Sequence, residues 1–335
     1  MRVALFHEAG RIAIEQVPDD PLLPTDVRIE IERCGICGSD VVMTSGSDFD
    51  FPHGCRLGHE SAGTVIETGR EVTTLKVGDR VSVFPTGFCG QCPMCLSGRP
   101  LFCPTGRMQF GGFGERMVIV ERSGFRYPDS VSHAEGALVE PIACGRKAMR
   151  MGRLTKGQTV LVLGAGSMGL AATYWARHMG AGRVVVATRT AARHEAVLAI
   201  GADAALALGD DDPDAYARAL PEPPDIVVEC IGKPGVLHMA AQKVRLGGTV
   251  LSMGMCVTQD PILPAFNAFN DVTLAFPVSY TTEDFIETIR SFDADKVRPE
   301  VMVAETISLA RLPGVLDEMR GHHSHLKVQV DPRMA

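Results

Sequence analysis

The chain has 335 residues, of which 45% are hydrophobic and 22% charged, with a formal net charge of −7; it is ordinary for a globular protein and long enough for two domains with separate cores. No broad basic field exists for nucleic acid or an anionic membrane, no apolar run reaches the roughly 18 residues of a membrane helix, and the acid-interrupted opening MRVALFHEAGRIAIEQV is no signal peptide. The protein is therefore expected in the cytoplasm, with neither nucleic acid nor membrane as partner, and its ten cysteines point to metal rather than to a disulfide framework.

Up to about residue 120 the chain reads as short β runs at 3–6, 12–17, 26–34, 63–68, 80–83 and 115–120, each bounded by Gly, Pro or Asp, which predicts a compact β-rich barrel or sandwich. Inside it, CGICGSD carries Cys37, Ser39 and Asp40, and LGHES carries His59 and Glu60. A thiolate, an imidazole and a carboxylate from separated segments suit Zn²⁺, and a catalytic zinc keeps one position open. A small buried Cys and a satisfied core His are the plain alternative.

Cys89, Cys92, Cys95 and Cys103 follow in CxxCxxCx7C spacing. Four thiolates in one loop close a tetrahedron around Zn²⁺ with no open position, a structural site; free thiols, disulfides or an iron-sulfur cluster are the other readings of the same ligands. Residues 132–150, with alanines at helical spacing and a break expected at Pro141, place Glu140 between Val139 and Pro141. A carboxylate there is costly unless paired or bound to metal, so Glu140 is read as a ligand or its neighbour, against the alternative of a helix-end Glu facing water.

From Thr159 the pattern becomes parallel α/β. The run 160–163 leads straight into GAGSMG, with Gly164, Gly166, Ser167, Met168 and Gly169, and then into an apolar helix over 170–179. In that context Gly164 serves the tight turn, Gly166 the approach to a pyrophosphate and Gly169 the packing of helix on strand, while amides at the helix start hold phosphate. After the next strand, 184–187, an NAD-specific fold would place an acid, but this chain has Thr188, Arg189, Thr190 and Arg193, with no acid before Glu195. A hydroxyl and two guanidinium groups suit a 2′-phosphate, so NADP(H) is expected over NAD(H), unless both arginines merely solvate a helix start. Strands at 204–208, 226–230, 249–253 and 272–276 and helices from Asp214, Gly235 and Thr282 continue the alternation, Thr282 being read as a cap, and 325–330 reads as a last strand returning to the first domain. His322, His323 and His325 are read as solvated.

With CGICGSD, LGHE, the cysteine lobe, VEPIA and GAGSMG in that order, the sequence resembles the zinc-containing medium-chain alcohol dehydrogenases, most of all the polyol and sorbitol branch. The resemblance implies an α/β protein: a GroES-like β-rich catalytic domain at 1–143 plus 280–335, around a Rossmann doubly wound parallel sheet domain at 144–279. It implies a catalytic zinc on Cys37 and His59 with Glu60 or Glu140 as third ligand or partner of bound water, a structural zinc on the four cysteines, and a homodimer or homotetramer. It further implies that zinc lowers the pKa of an alcohol, that hydride passes to or from the nicotinamide, and that Ser39 relays the proton. Val42 stands where some members carry a relay histidine, for which His53 is a candidate substitute. Phe110, Phe269 and Phe276 suggest a pocket less polar than a sorbitol enzyme's, hence a secondary alcohol or ketone, cyclic ones included, as substrate. An NAD-linked polyol or amino-alcohol dehydrogenase and a catalytically silent scaffold are the competing expectations.

Overall fold

The computed structural model describes residues 1–46, 51–207, 213–294, 297–321 and 326–334. The chain divides into two compact units: Met1–Glu140 with Thr281–Asp295 and Val303–Ala335, and Pro141–Tyr280 with Lys296–Met302.

The first unit is built on the Asp26–Gly35 strand. Alternate residues Val27, Ile29 and Ile31 are fully buried, as a period of two demands when one face meets a core. Each such aliphatic side chain contributes about 1.5–3 kcal/mol by leaving water. In the seven-stranded sheet this strand lies between Glu60–Thr68 and Lys327–Val330, the latter flanked in turn by Val303–Ile307. The register sets Gly35 opposite Glu60 and Cys34 opposite both Ser61 and Val330. A second, three-stranded sheet is ordered Arg11–Gln16, Arg2–Glu8, Cys55–Arg56.

Helix starts in this unit are fixed by reciprocal caps. Ser132 Oγ accepts from the Glu135 amide at 3.1 Å while Glu135 Oε2 accepts from the Ser132 amide at 2.8 Å, satisfying two amides that a helix end leaves free. The Thr282–Ala294 helix uses the same device one residue earlier than its sequence suggested: Thr281, not Thr282, is the cap, exchanging bonds with Asp284 at 3.1 and 2.9 Å. The break expected at Pro141 does not occur; His133–Met151 is one helix through it. Ala137, Leu138, Val139, Ile142 and Ala143 are all fully buried, and packing on both sides of the proline outweighs its cost of about 3 kcal/mol. Near the start of this helix, burial and the charges of Arg80, Arg333 and Arg33 push His133 down to about 4, so the ring stays neutral, its Nδ1 sharing a hydrogen bond of 2.7 Å with the Tyr127 hydroxyl.

The second unit is a six-stranded parallel sheet in the order Ala204–Ala207, Arg183–Thr188, Thr159–Leu163, Ile226–Glu229, Thr249–Ser252, Thr273–Ala275. Thr159–Leu163 pairs with a parallel strand on either side, and its residues 160–163 are buried without alternation, as a strand covered on both faces requires. Strand order reverses across this central strand, the place where doubly wound folds bind dinucleotides. Helices Pro213–Ala219, Val236–Lys243 and Ser167–His178 occupy the stretches read as helical. His322, His323 and His325 fall outside the described residues, and the last strand begins at Lys327.

Candidate active site

The chain leaves Gly35 and reaches Cys37 just before the short Gly38–Met43 helix. The Cys37 amide donates to Asp40 Oδ2 at 2.9 Å, which locks the turn and fixes the direction of the thiol. Asp40 is fully buried, and its Oδ1 lies 3.5 Å from Nδ1 of His59. At that separation both atoms are buried without a hydrogen-bond partner, so the carboxylate orients the ring and leaves Nε2 for a cation, as outer carboxylates do for metal-binding histidines. Burial alone would lower the His59 pKa, yet the charge of Asp40, with Cys37 beside the ring, holds it well above the ordinary histidine value. The surroundings therefore favour positive charge at this point.

Glu60 completes the group: one ligand atom each from Cys37, His59 and Glu60 lie within 4.8 Å of one another. Both Glu60 oxygens are 2.8 Å from Nζ of Lys327, whose third proton goes to the Ile36 carbonyl at 2.9 Å. The two side chains are 0% and 1% exposed. Gly35 makes room for this pair, since a Cβ there would sit 2.0 Å from Glu60 Oε2. Among the described residues Glu140 stands outside that three-residue set, half-buried on the His133–Met151 helix and close enough to Lys327 to raise its pKa together with Glu60 and Cys37, against burial. A half-buried thiol and a buried imidazole and carboxylate, with a second carboxylate behind the histidine, fit Zn²⁺.

The sequence names Asp40 beside Cys37 without showing its role, and gives no sign of Lys327. Asp40 was visible as the third residue after Cys37, the spacing of a cap. Lys327 was hidden by its strand: in KVQV the polar residues should face water, but all four positions are buried, and Gln329 instead donates to the Ala134 carbonyl at 2.8 Å.

Ser39, half-buried, lies on the Gly38–Met43 helix beside Asp40. His53 is bound to His7, 3.0 Å between ring nitrogens. Phe110 sets its ring at 90° to His59 with centroids 6.0 Å apart, and Phe51 packs behind it at 5.4 Å. Phe269 and Phe276 are 87% and 60% exposed.

The four lobe cysteines also lie within 4.8 Å of one another by their sulfurs. Cys89 and Cys92 stand 3.8 and 3.4 Å from Cys95, far from the ~2.05 Å of a disulfide and close to the ~3.8 Å edge of a zinc tetrathiolate with ~2.3 Å bonds. Backbone amides of Cys92 and Cys95 point at the sulfurs of Cys89 and Cys92 at 3.3 and 3.4 Å, an arrangement that favours thiolates. The Thr105 hydroxyl, followed by the Cys89 amide, brings the Cys103 thiol down to about 6.

In the second unit each glycine of the turn has a visible task. Gly164 has φ +100°, and a Cβ on Gly169 would meet the Gly164 carbonyl at 1.9 Å. Gly166 precedes the Ser167–His178 helix, and a Cβ there would meet nothing within 4 Å: it borders open space at a helix N-terminus, the cradle a pyrophosphate needs. Ser167 and Met168, both half-buried, form the first turn. Arg193 donates to the Ala165 carbonyl at 3.2 Å, which brings its guanidinium to the glycine turn; burial and then the charge of Arg189 lower its pKa. Arg189 is exposed. Thr188 is turned inward, its hydroxyl donating to the Thr190 carbonyl at 2.6 Å with His194 Nε2 at 3.2 Å.

Two family profiles match the chain: the alcohol dehydrogenase GroES-like domain over residues 23–129 and the zinc-binding dehydrogenase over residues 167–294. A sorbitol dehydrogenase from Bacillus subtilis (strain 168) is 30% identical over 348 residues, 99% of this chain and 97% of that protein. One from Rattus norvegicus is 34% identical over 267 residues, 75% of this chain and 74% of that protein. Among solved structures, one described as a zinc-binding dehydrogenase from Sinorhizobium meliloti 1021 bound to NADP aligns with a TM-score of 0.89 at 27% identity. The 2R,3R-butanediol dehydrogenase of Bacillus subtilis aligns at 0.88 and 26%, and each alignment covers 99% of both chains.

Fold, site and relatives define a class: a zinc oxidoreductase that acts on alcohols with a nicotinamide cofactor. Within that class the chain belongs to the zinc-containing medium-chain alcohol dehydrogenase family, on its sorbitol dehydrogenase-like branch.

Proposed function

We propose that this chain interconverts a secondary alcohol and its ketone with NADP(H), using Cys37, His59 and Glu60 as zinc ligands and Glu140 as partner of the open coordination position. The observation that carries the cofactor choice is the Arg189 and Arg193 pair beside the glycine turn, close enough that one lowers the pKa of the other, with no acid before Glu195. Two like charges that repel each other are relieved by a dianion, which a 2′-phosphate supplies. The inward Thr188 hydroxyl leaves this task to the arginines.

Zinc bound at Cys37, His59 and Glu60 would supply the Lewis acidity that lowers the pKa of the alcohol. Asp40 keeps the His59 ring aimed, Lys327 neutralises part of the carboxylate charge of Glu60, and Ser39 takes the proton from the hydroxyl of the substrate. The ring of Phe110 against His59, backed by Phe51, supports an apolar substrate wall, and with it a ketone or secondary alcohol rather than a polyol. Unpaired lobe thiols suit a reducing compartment, which supports the cytoplasm. A homodimer or homotetramer is supported by the exposed apolar rim of the Thr273–Ala275 edge strand, with Phe269, Phe276 and Val278 all more than half exposed, which a second copy would cover; light scattering that returns the single-chain mass would remove this part.

The test is kinetic. Over a panel of secondary alcohols, ketones and polyols, kcat/KM is expected to favour NADP(H), and Arg189→Ala with Arg193→Ala is expected to cost roughly 10–100-fold with NADP(H), the worth of a charged hydrogen bond or two, and little with NAD(H). A native preference for NAD(H) would overturn the cofactor assignment and favour the polyol or amino-alcohol reading; a chain inert with every substrate would favour the silent scaffold.

A further inference from the structure

Away from the dehydrogenase centre, three side chains converge on the three-stranded sheet. His7 lies in the Arg2–Glu8 strand where the register slips between Phe6 and Glu8, a bulge that re-aims its side chain. Its Nδ1 is 3.0 Å from Nε2 of His53, with ring centroids 4.8 Å apart and planes at 66°. Its Nε2 is 2.6 Å from Oε1 of Glu15, in the neighbouring strand Arg11–Gln16.

We propose that His7 Nδ1 and His53 Nε2 form a binding site for a first-row divalent ion such as Zn²⁺, Ni²⁺ or Cu²⁺, with Glu15 as the carboxylate that fixes the ring of His7. Bonds of ~2.0–2.1 Å to one ion place two adjacent imidazole nitrogens about 3 Å apart, which is the separation found. A carboxylate on the far nitrogen selects the tautomer whose Nδ1 is free to bind and raises its basicity. Imidazole pairs suit these ions, with Cu²⁺ bound most tightly. Among the described residues no third histidine, cysteine or acid joins the pair, so water fills the remaining positions. Such an ion ties the segment bearing Phe51 to the first strand, and Phe51 packs on Phe110, which meets His59.

The test is calorimetric titration of the holoenzyme with Zn²⁺ or Cu²⁺, counting equivalents above those already held. One further equivalent is expected, absent from His7→Gln and His53→Gln and weakened roughly 10–100-fold in Glu15→Gln. His53 is exposed, so its variant keeps the fold, checked by an unchanged original metal content. No additional equivalent, or one that survives His53→Gln unchanged, overturns the proposal.

Discussion

Replacing Cys37 by alanine is expected to leave a folded chain with one zinc in place of two and with kcat lowered by roughly 10³-fold or more. Cys37 lies within reach of buried Glu60 and, through its amide, of buried Asp40, and Glu60 faces the buried ammonium of Lys327. Without the thiolate a buried His59 and Glu60 remain, too few to hold a divalent ion against the open position that catalysis needs. A Lewis acid lowers the barrier by several kcal/mol, and each ~1.4 kcal/mol is a factor of ten. The lobe of Cys89, Cys92, Cys95 and Cys103 is a separate cluster and keeps its ion. Elemental analysis beside turnover decides the matter: wild-type turnover with the lobe ion alone would show that the chemistry lies elsewhere.

The second large effect is on stability. Lys327→Met leaves Glu60 with both oxygens buried and its countercharge gone, which costs about 3–5 kcal/mol in comparable buried pairs. For a unit of this size that corresponds to a fall in Tm of roughly 10 °C. The fall should be smaller with zinc present, because Glu60 then finds a cation, and smaller again when Glu60→Gln is combined with Lys327→Met, because the orphaned charge is removed. Calorimetry of the single and double variants, with and without zinc, reads all three; an unchanged Tm for the metal-free single variant would mean that the ion pair contributes nothing.

How far the chain could be read in advance differs from residue to residue, for physical reasons. GAGSMG was legible because each glycine answers a local demand: a positive φ, an open cradle, a carbonyl at 1.9 Å from a would-be Cβ. The cysteine lobe was legible because its ligands are near neighbours in sequence. Cys37, His59 and Glu60 could be named by chemistry, but their company could not: Asp40 acts through a ring 19 positions away, and Lys327 through a strand 267 positions away. Strand alternation alone would turn Lys327 and Gln329 to water, because it assumes a wet face, and here all four positions are buried. Proline at 141 suggested a break because local propensity says nothing about the packing of Ala137 to Ala143. The hydroxyl of Thr188 was given to the cofactor on type alone, while its neighbours' carbonyls had prior claim.

The strand Lys327–Val330 seals the first sheet from within, between two strands that come before it in the chain. During synthesis, therefore, the amino-terminal unit has a gap in the middle of its ladder until almost everything else has been made, and the parallel sheet, whose strands run from Thr159 to Ala275, can settle first. Until the late ammonium arrives, the acid at position 60 has no countercharge to be buried against, so this ion pair closes only as the finishing act of folding.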